Sequence, residues 1–215
     1  PGIEQFALVV VDYHTGFAWV RTMTSKAETL SKFKDIVSSA KAEILPDQVV
    51  CGLHSSTIDF QTPDIIAYCK ANKISMQYPT KLRSDSDSIF KSAAFSKYCI
   101  EHNTSQEFST PGHQYFNGKV EHLIGVIKTK MHTVLKASLL DMSYWPDAVR
   151  YVVYTYNRMP RQHRPQHMSP YHMYTGLPHH ISHLRVFGCD CSYYGKKTAA
   201  NGPGIPGLFL RYRQK

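Results

Sequence analysis

The 215-residue sequence predicts an α/β fold, and three observations support that prediction. A β-branched run over Phe6–Tyr13 is followed by a His-Thr-Gly turn and a second apolar run over Phe17–Met23, a pattern typical of a buried β-hairpin. Segments with strand composition then alternate with segments whose apolar residues recur at helical spacing. Near the C-terminus, short apolar runs flank a loop rich in Gly and Pro. The sequence therefore predicts a mixed sheet flanked by helices, with a small C-terminal β extension.

Composition limits the classes of function. With 42% hydrophobic and 19% charged residues, the chain is expected to be globular and not disordered, collagenous or coiled-coil. Its longest apolar run is far shorter than the roughly 20 residues of a membrane span, and we expect no membrane partner. Five cysteines, an odd number, predict reduced thiols in a soluble intracellular chain. Because the sequence begins with Pro1, we expect a segment of a longer protein.

Positive charge is concentrated in the second half. Residues 1–110 contain 11 Lys and Arg against 12 Asp and Glu, whereas residues 111–215 contain 14 against four and nine of the twelve His. Clustered cations release counterions from a polyanion, so this asymmetry favours a nucleic-acid partner. A basic face that only interacts with solvent explains the charge equally well.

The first helix is predicted over residues 26–41. Ser25 and Glu28 have the spacing of a capping box, in which each side chain bonds the other residue's backbone N–H. Apolar residues then recur at helical spacing from Ala27 to Ala40, so one face of the helix is expected to be buried.

A strand-helix-strand unit follows, and its pattern recurs at an offset of 30 residues. The first copy is predicted as a strand over Gln48–Leu53, a helix over Asp64–Asn72 and a strand over Ile74–Tyr78. The pair Tyr68-Cys69 then corresponds to Tyr98-Cys99. This correspondence favours a local duplication, although any two units of this kind share the same order of elements.

Two helices are predicted in the basic half. The first begins at Gly118 and continues for roughly five turns with one apolar face, and the second covers Tyr144–Asn157. Short strands over Leu184–Tyr194 and Gly207–Tyr212 complete the chain.

These elements suggest three regions along the chain. We predict a core over residues 1–160, an irregular and exposed connection over 161–182 that is rich in Pro, His, Gln and Tyr, and the β extension over 183–215.

Two carboxylates are the candidate catalytic residues. Asp85 ends a predicted strand, and Glu121 lies in the first turn of the long helix. Oxygen ligands suit Mg²⁺ or Mn²⁺, and two such ions about 3.5–4 Å apart can catalyse phosphodiester transfer. A first-turn Glu also interacts favourably with the helix dipole, and a loop Asp also forms turns, so the pair alone leaves a structural role open.

Several separated stretches occur in the order found in one known family. They are Val11-Asp12-Tyr13 with Phe17–Val20 and Ser25-Lys26, Arg83-Ser84-Asp85 through Phe90, Asn117-Gly118 with Val120-Glu121, Tyr144–Val149 with Asn157–Pro160, Ser169-Pro170-Tyr171, Gly176-Leu177-Pro178, His183–Cys189 and Gly207–Leu210. In this order they resemble the integrase core of copia-type retrotransposons over nearly the whole chain.

The resemblance implies an RNase H-like fold and a polynucleotidyl transferase with an Asp, Asp, Glu triad and two Mg²⁺ or Mn²⁺ ions. Asp85 matches the second acid of the triad and Glu121 the third. The first acid lies on a strand before the hairpin in that family, so it would precede Pro1, and Asp12 matches a different Asp on the hairpin. The family's spacing points to Ser55 for the second acid, so we expect that only the second copy of the duplicated unit kept it.

The sequence also departs from the family. Asp87 and Ile89 replace a small residue and a Glu, His122 replaces the Arg after Glu121, and His132 stands near another expected Arg. Without its first acid, the triad has less charge for holding metal, and a neutral His binds phosphate less well than Arg does. We therefore expect a core that lacks the family's first strand, is truncated or decayed, and is weak or inactive alone.

The function implied by the resemblance is DNA integration by strand transfer, in which a DNA 3′ hydroxyl attacks a target phosphodiester. The alternative is a non-catalytic nucleic-acid-binding relic, and a purely structural or protein-interaction fragment is a third possibility. The resemblance also implies element ends and target DNA as partners, a homo-oligomer and a location in the nucleus.

Other candidate residues lie in the basic half. Five cations share the long helix with Glu121 and are candidate DNA contacts, with a solvated helix face as the alternative: Lys119, Lys128, Lys130, His132 and Lys136. A second group has spacing that matches no tight zinc pattern: His179, His180, His183, Cys189 and Cys191. We expect the aromatic residues of the last helix to pack against neighbours and not to stack on bases: Trp145, Tyr151, Tyr154 and Tyr156.

Overall fold

The computed structural model describes residues 3–43, 79, 81–85, 87–108, 118–162, 167–177, 181–193 and 204–212, and every structural statement below refers to them. The elements predicted between residues 44 and 78 lie outside this part of the chain, as does Ser55. In the described part, no helix has both the length and the hydropathy needed to cross a membrane.

The predicted hairpin is confirmed. Strand β1 (Phe6–Val11) pairs antiparallel with strand β2 (Ala18–Met23). All of β2 except Arg21 is buried, as expected of a strand rich in apolar residues. Strand β2 therefore lies inside the molecule, whereas β1 is half-buried except at Leu8, which is buried, and Ala7, which is exposed.

The first helix also begins where the capping box predicts. The Glu28 carboxylate accepts a hydrogen bond from the Ser25 N–H at 3.0 Å, and the Ser25 hydroxyl accepts one from the Ala27 N–H at 3.2 Å. One 3₁₀ turn (Lys26–Glu28) leads into α1 (Thr29–Glu43). These bonds satisfy N–H groups that the start of a helix leaves unpaired.

The unit predicted as the second copy of the repeat has the expected order of elements. Strand β3 (Lys81–Ser84) pairs in parallel with β4 (Ser105–Phe108), and α2 (Ala93–Glu101) crosses between them. A parallel pair requires such a crossover connection. Because the first copy lies outside the described residues, the duplication stays a prediction.

The two helices predicted in the basic half are confirmed as α3 (Gly118–Ser138) and α4 (Trp145–Arg158). A short connection that contains one 3₁₀ turn (Met142–Tyr144) joins them. Packed helices with so short a connection run antiparallel, so the first turn of α3 lies at the same end of the pair as the last turn of α4.

The stretch over residues 161–182 differs from the irregular, exposed connection that the sequence suggests. It contains helix α5 (Pro170–Thr175). Tyr174 is buried, with its ring centroid 4.7 Å from that of Phe17 and 5.1 Å from that of Trp19. The partners of Tyr174 lie on the hairpin, far away in sequence, so local composition does not reveal the contact.

The predicted C-terminal β extension is present, but its strands are shorter than expected. Strand β5 (Asp190–Tyr193) pairs antiparallel with β6 (Ile205–Leu208). Residues 184–189, predicted as strand, form a loop against the end of α3. A Cβ added to Gly188 would lie 2.4 Å from the Cβ of Ser138, which shows how closely the loop approaches the helix.

Two hydrophobic cores lie on opposite faces of the hairpin. The first joins the hairpin to α1, α2 and α5 through Leu8, Phe17, Trp19, Met23, Phe33, Ile36, Val37, Phe95, Tyr98, Cys99 and Tyr174. The second joins it to α3, α4 and the C-terminal extension through Ala18, Val20, Leu123, Ile127, Met131, Leu135, Ala148, Val149, Val152, Val153 and Phe187. Neighbouring residues of a strand point to opposite faces, so helices cover the hairpin on both sides.

The predicted α/β class is thereby confirmed. The described strands form three two-stranded sheets, one parallel and two antiparallel, so the single mixed sheet stays a prediction.

Candidate functional site

Both candidate carboxylates lie at the ends of elements, as predicted. Asp85 directly follows β3, and Glu121 is the acidic residue in the first turn of α3. Both residues are exposed. Across the described ranges, no three His, Cys, Asp or Glu side chains are grouped closely enough to hold a metal ion. The structure thus places each carboxylate on its element, and their convergence on one metal site stays a prediction.

The chemistry of the two carboxylates fits a divalent metal. Their ligand atoms are all oxygens, which Mg²⁺ and Mn²⁺ prefer. The Asp85 carboxylate accepts a hydrogen bond of 3.4 Å from the N–H of Asp87, and an ionised carboxylate has about four lone-pair sites, so acceptor capacity remains. Two carboxylates supply less negative charge than the triad implied by the resemblance.

Asp87, one of the departures from the family, fixes the loop after β3. Its Oδ2 lies 3.0 Å from the Nζ of Lys26, and its Oδ1 accepts a hydrogen bond from the N–H of Ile89 at 3.2 Å. The hydrogen bond from Lys26, followed by that from the Ile89 backbone, holds the pKa of the Asp87 carboxyl below its usual value. Asp87 therefore connects the loop that carries Asp85 to the start of α1.

Asp12 closes the hairpin turn. Its carboxylate accepts hydrogen bonds from the backbone N–H of Thr15, at 2.7 Å, and from the Thr15 hydroxyl. Its carbonyl accepts one from Gly16 at 2.8 Å, and Gly16 has a φ of 65°, which glycine adopts without steric penalty. Asp12 is thus a turn-forming residue.

All five predicted DNA contacts on α3 are exposed: Lys119, Lys128, Lys130, His132 and Lys136. The buried side of the helix carries Leu123, Ile127, Met131 and Leu135. A shallow depression in the exposed surface is lined by His122, Gly125, Val126, Thr129 and Lys130. At helical spacing, Lys128, His132 and Lys136 lie on the same side of α3 as Glu121, whereas Lys119 and Lys130 lie on another side.

Lys119 is placed differently from the other cations. Its Nζ donates a hydrogen bond to the carbonyl of Tyr13 and lies 4.5 Å from the centroid of the Tyr13 ring. These contacts join the first turn of α3 to the hairpin turn. The DNA contact that we predict for Lys119 is not tested by this placement.

Asn157 is a structural residue whose role the sequence analysis did not identify. Its buried amide accepts a hydrogen bond from the N–H of Ala18 at 2.9 Å and donates one to the carbonyl of Ala18 at 2.8 Å. One signal was available: Asn157 continues the spacing of Val149 and Val153, so it is a polar residue on the buried face of α4.

The aromatic residues of α4 pack against the C-terminal segment, as predicted. The ring of Tyr154 stacks on that of Tyr212 with centroids 4.2 Å apart, and its hydroxyl lies 2.9 Å from Nε2 of His183. Burial raises the pKa of Tyr154, although the nearby Arg158 guanidinium opposes this shift. Tyr151 contacts Phe187, with ring centroids 5.4 Å apart.

The cysteines are free thiols in the part of the chain that the structure describes. Cys99 is buried in α2, and burial raises the pKa of its thiol, as expected of an inert core residue. Cys189 and Cys191 form no metal group with His183, and the two other histidines of that predicted cluster lie outside the described residues.

Comparison with known proteins gives relatives of one kind. The chain is 31% identical over 135 residues to the retrovirus-related Pol polyprotein from transposon TNT 1-94 of Nicotiana tabacum, covering 61% of this chain and 10% of the polyprotein. It is 33% identical over 94 residues to that from transposon RE2 and 36% identical over 97 residues to that from transposon RE1, both of Arabidopsis thaliana. The last two matches cover 44% and 45% of this chain and 6% of each polyprotein. No family model matches the chain.

Solved structures of integrases are also similar to this chain. The HTLV-2 integrase catalytic core domain in complex with magnesium has a TM-score of 0.44 at 16% identity, over 77% of this chain and 82% of that one. The simian T-cell lymphotropic virus intasome in complex with the PP2A regulatory subunit B56γ has a TM-score of 0.48 at 14% identity, over 97% of this chain and 63% of that one. The catalytic core domain of BIV integrase has a TM-score of 0.44 at 11% identity, over 78% and 84%.

Proposed function

Since this chain is homologous to a segment of the retrovirus-related Pol polyproteins of plant transposons, we propose that it is the integrase core of a copia-type retrotransposon. The motifs that resemble this family support the same proposal. In the proposed reaction, the 3′ oxygen of one DNA strand forms a bond to a phosphorus atom of target DNA. The bond from that phosphorus to its own 3′ oxygen breaks, and this oxygen leaves as a new 3′ hydroxyl after taking up a proton.

One observation carries the proposal: an exposed carboxylate in the first turn of α3 is followed along the same helix by exposed cations, three of them on the same side as Glu121. Glu121 and, after β3, Asp85 are the groups that would hold Mg²⁺ or Mn²⁺ through their oxygens. When bound, the metal activates the attacking oxygen and stabilises the leaving oxygen. The protein residues hold the metal and orient the strand.

The cations of α3 are proposed to bind the DNA backbone. Lys128, Lys130 and Lys136 are exposed, and each can neutralise one phosphate. Phosphate contacts fix the register of DNA on a protein without reading its sequence. A strand bound along α3 would therefore be held at a constant distance from Glu121, with His132 as a fourth contact.

The runner-up function is a nucleic-acid-binding relic without catalysis. It is favoured by His122, which stands next to Glu121 where the resemblance implies an Arg, because an imidazole lacks the planar fork with which Arg binds phosphate. In this alternative the basic face of α3 still binds DNA, and the chain is a truncated or decayed core.

Two further parts of the proposal follow from the reaction. Joining two element ends to one target requires two active sites, so we expect a homo-oligomer. Chromosomal DNA is the target, so we expect a nuclear location.

Strand transfer with Mn²⁺ and labelled oligonucleotides tests the proposal. We expect any nicking or joining by the wild-type chain to be weak, because the triad lacks its first acid, and we expect it to be lost in Asp85→Asn and Glu121→Gln. Glu101→Gln is the matched control, because Glu101 is an exposed carboxylate at the end of α2, outside the proposed site. Salt-sensitive DNA binding without turnover would support the relic, and neither binding nor turnover would support a structural fragment.

A further inference from the structure

We propose that Lys119 is a positioning residue, which holds the first turn of α3, and with it Glu121, against the hairpin turn through Tyr13. This inference rests on the proposed function and assigns Lys119 a role other than phosphate binding. Two contacts support it: the Nζ of Lys119 donates to the carbonyl of Tyr13, and it lies 4.5 Å from the centroid of the Tyr13 ring.

The position of Lys119 in its helix has no local explanation. The N-terminus of a helix carries partial positive charge, so a cation in the first turn is disfavoured and an anion is favoured. Glu121 obeys this preference, and Lys119 does not. A carbonyl acceptor and the negative face of an aromatic ring, both supplied by Tyr13, offset that repulsion.

The hairpin turn is a rigid partner for Lys119. Asp12 closes the turn by accepting two hydrogen bonds from Thr15. On the far side of the turn, the buried amide of Asn157 pairs with both backbone groups of Ala18. The last turn of α4 and the first turn of α3 are therefore attached to the same short segment, residues 12–18.

Without the Lys119 contact, the first turn of α3 loses a tertiary anchor. The ends of helices fray, and the first turn of α3 carries the carboxylate proposed to bind metal. A displacement of about 1 Å in a reacting group can lower a rate about 100-fold. Lys119 therefore affects the reaction indirectly, because its side chain holds Glu121 in position.

Lys119→Met tests the proposal, and Lys128→Met is the matched control. Met keeps an unbranched side chain of similar helix propensity and lacks the ammonium group, with a sulfur atom in place of Cδ. Lys128 lies on the exposed side of the same helix. Amide hydrogen exchange is measured at residues 122–125, whose N–H groups bond to the carbonyls of the first turn.

We expect Lys119→Met to speed that exchange about fivefold, as for the loss of one net hydrogen bond. If Lys119 had no tertiary contact, its replacement would slow the exchange, because it would remove the repulsion between the cation and the helix dipole. A positioning role therefore predicts faster exchange in Lys119→Met, and a purely electrostatic role predicts slower exchange. The salt dependence of DNA binding should be unchanged in Lys119→Met, whereas Lys128→Met should reduce the log–log slope by about 1. Lys119→Arg should restore normal exchange.

A reduced salt slope with unchanged or slower exchange in Lys119→Met would overturn the proposal and assign Lys119 to phosphate binding. If the wild-type chain shows no strand transfer, the proposed function fails, and the exchange and salt measurements still decide the role of Lys119. If the wild-type chain is active, we also expect Lys119→Met to lower turnover about tenfold with little change in DNA affinity.

Discussion

The side-chain amide of Asn157 takes the place of a neighbouring strand for Ala18, because it satisfies both the N–H and the carbonyl of that residue. Asn157→Ala leaves two buried backbone groups unpaired, each worth about 1–3 kcal/mol. We expect the free energy of unfolding to fall by about 2–4 kcal/mol, measured by urea denaturation. Thr155→Ala is the control, since the Thr155 hydroxyl bonds only carbonyls of its own helix. Equal losses in both variants would contradict this role for Asn157.

Two glycines should respond in opposite ways to the same substitution. Gly188 has a φ of 75°, and a Cβ there would lie 2.4 Å from the Cβ of Ser138. Gly188→Ala should therefore lower the free energy of unfolding by about 1–3 kcal/mol. Gly125 lies inside α3 with nothing within 4 Å of an added Cβ, so Gly125→Ala should raise it by about 0.5–1 kcal/mol. Thermal unfolding of the two variants, each compared with the wild type, checks the direction of both changes.

Single residues of the site were predictable where local sequence decides their position. Asp85 and Glu121 follow from a strand end and a helix start, and both lie there. The contact between Lys119 and Tyr13 joins residues 106 positions apart, and no local pattern encodes it. A cation at a helix N-terminus was the one anomaly that the sequence offered.

At the scale of the element, the start of α1 depends on its capping box. The Ser25 hydroxyl accepts from a backbone N–H that the helix leaves unpaired. Ser25→Ala should lower the free energy of unfolding by about 1 kcal/mol. Ser31→Ala is the control, because the Ser31 hydroxyl donates to the carbonyl of Glu28 inside the helix and caps nothing. A control loss as large as that of Ser25→Ala in thermal denaturation would argue against the cap.

The parallel pair of β3 and β4 should be sensitive to acid. Glu107 on β4 lies 2.6 Å from the Nζ of Lys81 and 2.8 Å from Nη2 of Arg83 on β3. The hydrogen bond from Lys81, followed by that from Arg83, holds the pKa of the Glu107 carboxyl below its usual value. The contribution to stability is therefore complete above the ordinary Glu pKa and is lost as pH falls through the lower, folded-state pKa.

Glu107→Gln should accordingly flatten the acid limb of the stability profile. As pH falls below the ordinary Glu pKa, we expect the denaturation midpoint of the variant to fall less than that of the wild type. At strongly acidic pH the midpoints of the two proteins should become equal, because Glu107 is then uncharged in the wild type as well. The comparison is made at low salt, because exposed ion pairs are screened. Identical profiles would show that this ion pair contributes nothing to stability.

Which elements were predictable depended on the range of the interactions that define them. The hairpin, α1, α3 and α4 carry strong periodicity, the start of α1 also has a capping box, and all four lie where the sequence puts them. Helix α5 is six residues long and is held by contacts between Tyr174 and the hairpin. The sequence does carry local start and stop signals for it, namely Ser169 as N-cap, Pro170 in the first turn and Gly176 as C-cap, but the surrounding composition is that of a loop. The strands of the C-terminal extension are shorter than predicted because residues 184–189, which precede β5, pack against α3 as a loop and do not form a strand.

At the scale of the whole molecule, both cores share the hairpin, so they should unfold together. The chain has two tryptophans: Trp19 is buried in the first core, and Trp145 packs against the second. We expect Trp145→Phe and Trp19→Phe, each of which leaves one fluorescent reporter, to show the same urea midpoint by fluorescence and by circular dichroism. Within either variant, a fluorescence midpoint that differs from the circular dichroism midpoint would mean that each core unfolds as a separate unit.

The fold class was predictable from the sequence because it depends on alternating local patterns, whereas the site is predictable only in part. The sequence identifies Asp85, Glu121 and the cations of α3, and the structure puts each on the element expected. How close the two carboxylates come depends on the packing of elements that are distant in sequence. Strand and helix patterns carry no information on that distance.

The hairpin tolerates single substitutions better than it tolerates the insertion or deletion of a residue. Trp19 enters one core and Val20 the other, so a single residue inserted before them would exchange their environments. An indole would then occupy a space shaped for valine, and the opposite core would be left with a void. Point substitutions affect one side chain at a time, but a single-codon insertion or deletion in β2 disrupts both cores at once. The coding sequence of this hairpin is therefore a part of the gene in which in-frame indels are poorly tolerated.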